Sequence, residues 1–334
     1  MYQTSAPHKS TYRHAYLLSC RLASSHSANP NFAMLTTRTL RPLPTRIPQL
    51  LRPIPTQCRR HTTHNNSVDP TEVSHFSALA AEWWDPHGTS RLLHLMNPLR
   101  LQFLRSCLAR GHTGAESLRF LDVGCGGGIL AESLARLRGT ESVLGIDPTP
   151  GVLAIAKAHM RKDPALAGKL EYLETTIHAL EETGGERVEG GFDVVCRYFR
   201  RAGSARALRA DGKTQVTTME VVEHVSSPAA FLRECMSHVK PGGWLLGSTI
   251  ARTWTSYLTT KLVAEDILNI VPRGTHDWNK YVNADELRDF FTQQKGWESA
   301  AFMGCIYVPG LGWRMLDHGE KVGNYFFAVR KSLG

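Results

Sequence analysis

The first 68 residues contain no aspartate and no glutamate. Nine of the 39 lysines and arginines lie there, so the remaining 30 are matched by all 30 acidic residues. The formal net charge of +9 therefore belongs to the N-terminal segment alone. A charge-balanced body argues against nucleic acid as a partner, since such proteins carry a basic face within the fold. No apolar run approaches the ~18 residues of a membrane-spanning helix. No apolar stretch of the kind that marks a secretory signal opens the chain. There are seven cysteines, at 20, 58, 107, 125, 196, 235 and 305, and no C-x-x-C pair. An odd, unpaired set argues against a disulfide framework or a structural zinc site and fits a reducing compartment.

What the N-terminus does hold is arginine, serine, threonine, histidine and proline. That composition, without acids, reads as a mitochondrial transit peptide over residues 1–67, with Met34 as a second possible start. The folded body is expected over 68–334. The 42% apolar content of the whole chain suits a sizeable core. Helical patterning over Thr71–Trp84 and Pro98–Arg110 precedes alternating signals. Strands are expected at Leu118–Val123, Ser142–Ile146, Leu170–Leu173, from Phe192, at Trp244–Ile250, Ala300–Gly304 and Tyr325–Val329. Helices are expected at Ile129–Leu137, Gly151–Met160, Pro228–Val239 and Ala284–Phe291. Such alternation predicts an α/β fold with a mostly parallel sheet and helices on both faces.

The stretch Leu121-Asp122-Val123-Gly124-Cys125-Gly126-Gly127-Gly128 follows a strand and opens a helix. Glycines there let a backbone approach a ligand closely. The dinucleotide pattern G-x-G-x-x-G fails, because its third glycine position is Ile129. Asp147 ends the next strand, where a carboxylate accepts ribose hydroxyls. A ribose partner without a pyrophosphate turn points to S-adenosylmethionine.

Glu220, Glu223 and His224 are spaced i, i+3, i+4, which on one helical turn is one face. Three chemistries share that spacing. The side chains are sensible ligands for a divalent cation. Alternatively His224 is a general base oriented by the acids. In the third case the acids simply sit in the first turn of a helix, favoured by its dipole.

Several segments resemble the ubiquinone-biosynthesis O-methyltransferase family. They are Phe76–Asp85 with its double tryptophan, Asn97-Pro98-Leu99-Arg100, Leu121–Gly128, Met219–Val225 and Pro272-Arg273-Gly274-Thr275-His276-Asp277. The resemblance covers about 70–331. It implies a class I methyltransferase, a Rossmann-like fold with a seven-stranded sheet, acting on catechol-type hydroxyls of polyprenylated aromatic intermediates. It implies S-adenosylmethionine contacts at Arg100, Gly124, Asp147 and Met219. It also implies magnesium at Glu220, Glu223 and His224. The family's mitochondrial members imply peripheral attachment to the matrix side of the inner membrane, among subunits of a biosynthetic complex.

Two segments stand apart. Trp254, Leu258 and Leu262 recur every fourth residue within Trp254–Val271, and an amphipathic helix of this kind can lie on a membrane surface or close a substrate cleft. It falls in a lid or membrane-contact insertion expected over 252–281. Between Val195 and Thr217 stands Cys196–Val216, which holds six basic residues and one acid and matches nothing in the family. It reads as a translated intron dividing the strand that should deliver Met219 and Glu220. About 197–213 are expected to leave the sheet as an exposed basic loop. If the insertion is genuine, the alternative function is a catalytically silent assembly subunit.

Overall fold

The computed structural model describes residues 73–74, 80–110, 117–182, 213–253 and 280–333. All lie in one compact unit, Thr62–Gly334; the other unit, Met1–His61, falls outside the described residues, as do 196–212 and the amphipathic stretch at 254–271.

The chain alternates as its periodicity requires. Helix α1 spans Arg91–Ala109, and Met96, Arg100, Phe103, Leu104, Cys107 and Leu108 form its buried stripe at three- and four-residue steps. It begins seven residues before Pro98. Proline favours a first turn, which is why the sequence suggests a start there; instead Pro98 sits inside the helix and forgoes the bond to the His94 carbonyl. Of the helix expected over Thr71–Trp84, the described C-terminal part is a short 3-10 turn at Ala80–Glu82 that leads into a turn carrying Trp83 and Trp84.

Strand β1 (Leu118–Val123), helix α2 (Ile129–Ala135), strand β2 (Thr140–Asp147), helix α3 (Pro150–Met160) and strand β3 (Leu170–Glu174) follow. Helix α4 is Ile177–Glu182, strand β4 is Lys213–Met219, helix α5 is Pro228–Ser237 and strand β5 is Trp244–Ile250. Helix α6 (Ala284–Thr292), then β6 (Trp297–Val308), β7 (Gly312–Leu316) and β8 (Asn324–Lys331) complete the described chain. The sheet order is β3-β2-β1-β4-β5-β8-β6-β7. Strands β1 to β5 pair in parallel, whereas β8 runs antiparallel to β5 and β6.

Among the described residues the sheet has eight strands, not seven. The extra one is the edge strand β7, a hairpin partner of β6 with a single buried residue, Trp313. So little burial leaves a weak apolar signal; the strand is held by Trp313 Nε1 donating to the Leu92 carbonyl at 3.0 Å.

Alternation along the strands fills two cores. Phe120, Leu246 and Phe326 face α1 and α2, while Leu121, Leu245 and Phe327 face α5 and α6. The strand order reverses direction between β1 and β4, so the crevice at their C-terminal ends is where a ligand is bound in such sheets.

Strand β4 corrects the expected limits of the insertion. Lys213 pairs with Leu118 and Val216 with Leu121, so the last four residues assigned to the insertion build the first half of this strand. Lys213 is in the sheet and not in a loop. Ladder bonds are made by the backbone and accept any side chain, which is why a polar stretch can occupy the place. Its side chains fit less well. Gln215 is fully buried and accepts the Trp244 N–H at 2.8 Å, but the hydroxyls of Thr214 and Thr218 are buried with no partner.

Candidate active site

The glycine turn leaves β1 at the centre of the crevice. Gly124 has φ of 70°, and a Cβ there would lie 2.5 Å from Val221 Cγ2. Only glycine tolerates both the left-handed backbone and the close approach of the 220–224 turn. Asp147 closes β2 and binds the same turn. Its Oδ2 accepts the Gly126 N–H at 3.0 Å and its Oδ1 the Thr149 N–H at 2.9 Å. Burial raises its pKa, against those two donors. A carboxylate has about four acceptor positions, so capacity remains for hydroxyl donors.

Arg100 reaches the crevice from α1 and is 4% exposed. Its Nε has no hydrogen-bond partner. Burial lowers its pKa, opposed by the negative charges of Glu220 and Asp122. Asp122 is the second incompletely partnered charge. Its Oδ1 accepts the Thr217 hydroxyl at 2.6 Å, its Oδ2 has no partner, and burial pushes its pKa up to about 7. Met219 ends β4 beside them, buried.

Glu220 adopts φ of 58°, a left-handed conformation that is strained for a residue with a side chain. Two neighbours hold it there. Ser248 Oγ donates to Glu220 Oε1 at 2.5 Å and Asn324 Nδ2 to Oε2 at 3.2 Å, while the Glu220 N–H reaches the Ser248 carbonyl at 3.2 Å. Glu223 is bound instead by Thr249, whose hydroxyl donates to Oε2 at 2.7 Å. Burial first, then the charge of Glu220, raises the Glu223 pKa; His224 and Thr249 oppose this.

This arrangement bears on the expected ligand set. Ser248 and Thr249 are consecutive in β5, so their side chains leave opposite faces of the sheet. They anchor the Glu220 and Glu223 carboxylates on those two faces. Among the described residues no three His, Cys, Asp or Glu side chains converge as a metal site. Glu220, Glu223 and His224 as placed therefore do not fit one magnesium ion. The one-face argument assumed a helical turn, but the 3-10 turn covers only Val222–His224 and Glu220 lies outside it.

Arg100, Gly124, Asp147 and Met219 do come to one crevice. Ser248, Thr249 and Asn324 carry no sequence signal as strongly patterned as the glycines. The nearest hint is a polar pair closing the otherwise apolar strand β5.

The sheet order, the glycine turn and the strand-end acid define a class I methyltransferase. A family model described as "Methyltransferase domain" matches residues 91–300. The mitochondrial ubiquinone biosynthesis O-methyltransferase of Candida albicans is 36% identical over 308 residues, covering 79% of this chain and 86% of that protein. The mitochondrial enzyme of the same name from Schizosaccharomyces pombe is 39% identical over 274 residues, covering 80% and 89%. The Ruegeria pomeroyi ubiquinone biosynthesis O-methyltransferase is 39% identical over 273 residues, covering 79% and 97%. This chain belongs to the ubiquinone biosynthesis O-methyltransferase family. Its fold is also that of the magnesium protoporphyrin IX methyltransferase of Synechocystis, at a TM-score of 0.51 and 15% identity over 79% of this chain and all of that one.

Proposed function

We propose that this protein transfers the methyl group of S-adenosylmethionine to a catechol-type hydroxyl of a polyprenylated aromatic intermediate of ubiquinone synthesis. The observation that carries the reading is the convergence of an under-bonded buried arginine, a left-handed glycine and a strand-end aspartate at one crevice, in a chain of this family. These residues fit the cofactor. Arg100 offers a buried cation for its carboxylate, Asp147 retains acceptor capacity for the ribose hydroxyls, Gly124 permits close approach of the backbone, and Met219 supplies an apolar wall. When bound, the cofactor supplies an electrophilic methyl group that needs no further activation.

The chain's own task is to align an oxygen nucleophile and remove its proton. Alignment supplies much of the rate in such a transfer. A phenol holds its proton up to about pH 10, so a base is needed near neutrality. His224, half-buried in the turn beside the crevice, is assigned that role.

The fungal relatives are named as mitochondrial, and the acid-free segment 1–67 supports the same address for this protein. Among the described residues no helix is long and apolar enough to cross a membrane. Peripheral attachment to the matrix face of the inner membrane through Trp254–Val271, and contact with other subunits of the pathway, complete the proposal. The silent-subunit alternative draws no support from relatives that are named as enzymes.

The test is incubation of the full chain with S-adenosylmethionine and a water-soluble catechol, with mass spectrometry of the product. A mono-methyl ether is expected. Cofactor binding without any methylated product would overturn the enzymatic reading.

A further inference from the structure

The two tryptophans ahead of α1 both lie on the glycine turn. Trp84 Nε1 donates to the Gly127 carbonyl at 2.8 Å. A Cβ at Gly126 would sit 2.5 Å from the Trp83 ring, and one at Gly127 would clash with that ring outright. The Trp84 indole is itself held. It stacks on His159 of α3 with centroids 3.5 Å apart and planes 3° from parallel. His159 Nδ1 lies 2.7 Å from Glu132 Oε1. Glu132 is fully buried in the first turn of α2, directly after the glycines, and its Oε2 accepts Arg136 Nη2 at 2.9 Å.

These contacts form a closed circuit. It runs from the turn through Trp84, His159 and Glu132 to α2, and α2 begins where the turn ends. A buried carboxylate needs partners, and both Glu132 oxygens have one. One of the two, His159, stacks directly on the indole that binds the turn. A turn that recognises a ligand through its backbone binds more weakly as its competent conformation becomes less populated.

We propose that Trp84 and His159 are positioning residues that hold Gly126 and Gly127 in the cofactor-binding conformation. The inference rests on the reading of this turn as the S-adenosylmethionine site. His159 acts through the indole, and the indole acts through one hydrogen bond to the turn.

The experiment is calorimetric titration of the full chain with S-adenosylhomocysteine, alongside thermal melting. The wild type is expected to bind. Trp84→Phe keeps a ring for stacking but loses the N–H, and should weaken binding about 3- to 10-fold, the size of one net hydrogen bond. His159→Ala should weaken it by a similar factor, and His159→Phe, which restores a flat ring against the indole but leaves Glu132 one partner short, should recover part of the loss. The double variant Trp84→Phe/His159→Ala should bind no more weakly than the worse single variant, because the two act as one unit. A wild type that binds, with both single variants within about twofold of it and only melting temperatures lowered, would make the circuit merely structural and overturn the proposal. Additive losses in the double variant would also overturn it. A wild type that fails to bind would remove the cofactor reading, and this inference with it.

Discussion

Asp147 accepts the N–H of Gly126 at 3.0 Å, so the acid proposed to read the ribose and the turn proposed to approach the cofactor are one hydrogen-bonded unit. Removing the carboxylate therefore does two things. It deletes the hydroxyl acceptor and frees a backbone donor in the turn. Asp147→Ala should weaken S-adenosylmethionine binding by at least about 30-fold, in line with the loss of charge-assisted bonds. Asp147→Asn, which keeps one carbonyl acceptor, should fall between alanine and wild type. Calorimetry ranks the three; unchanged affinity in the alanine variant would remove Asp147 from the site.

Glu220 and Glu223 are held by different hydroxyls, and their variants should separate from the cofactor-binding ones. Glu220→Gln and Glu223→Gln should reduce turnover by about tenfold or more while cofactor affinity stays within about threefold. His224→Ala should reduce kcat by about a hundredfold or more if it is the base. Steady-state kinetics at saturating cofactor, with binding measured separately, tests both. An alanine variant with wild-type kcat would exclude His224 as the proton acceptor.

Asp122 gives a pH-dependent signature. Its pKa stands at about 7 in the folded protein because of burial, against about 3.9 in an unfolded chain. Between those values the native state keeps a proton that the unfolded state has released. Its contribution to stability is thus full below about pH 4 and is lost as pH rises through about 7. Asp122→Asn, which cannot ionise, should lose less stability on raising pH from about 5 to about 8. Urea midpoints at the two pH values provide the measurement, and an equal drop in both proteins would refute the assignment.

Strand β4 makes two predictions about stability. Thr214 is fully buried with an unpartnered hydroxyl. Thr214→Val removes that group at nearly constant shape and should stabilise the chain by on the order of 1 kcal/mol. Deleting Cys196–Val216 joins Phe192-Asp193-Val194-Val195 to Thr217, setting valines in place of Gln215 and Val216. That variant should fold with a denaturation midpoint at or above that of the full chain, and with higher activity. If it fails to fold, Lys213–Val216 is indispensable to the sheet and the translated-intron reading fails.

Much of the site was legible because it depends on local chemistry. The glycines of the turn, the acid closing β2 and the mostly apolar runs of β1 and β5, buried along their whole length, each write their structure within a few residues. Helix α1 was half legible, since Pro98 mimics a helix start. The ligand face of Glu220, Glu223 and His224 was misread because spacing reports a face only if the segment is helical, and Glu220 is not.

By itself the sequence determined the alternating fold, the glycine turn, the strand-end Asp147 and the acid-free N-terminal segment, all properties of composition and short-range period. Only the tertiary structure decided which residues complete β4, and that Glu220 is clasped by Ser248 and by Asn324, 28 and 104 residues away. It also sent Glu220 and Glu223 to opposite faces of the sheet. The physical reason is that a buried carboxylate takes whatever donors the packed strands bring to it, and strand order, not local spacing, sets which donors those are.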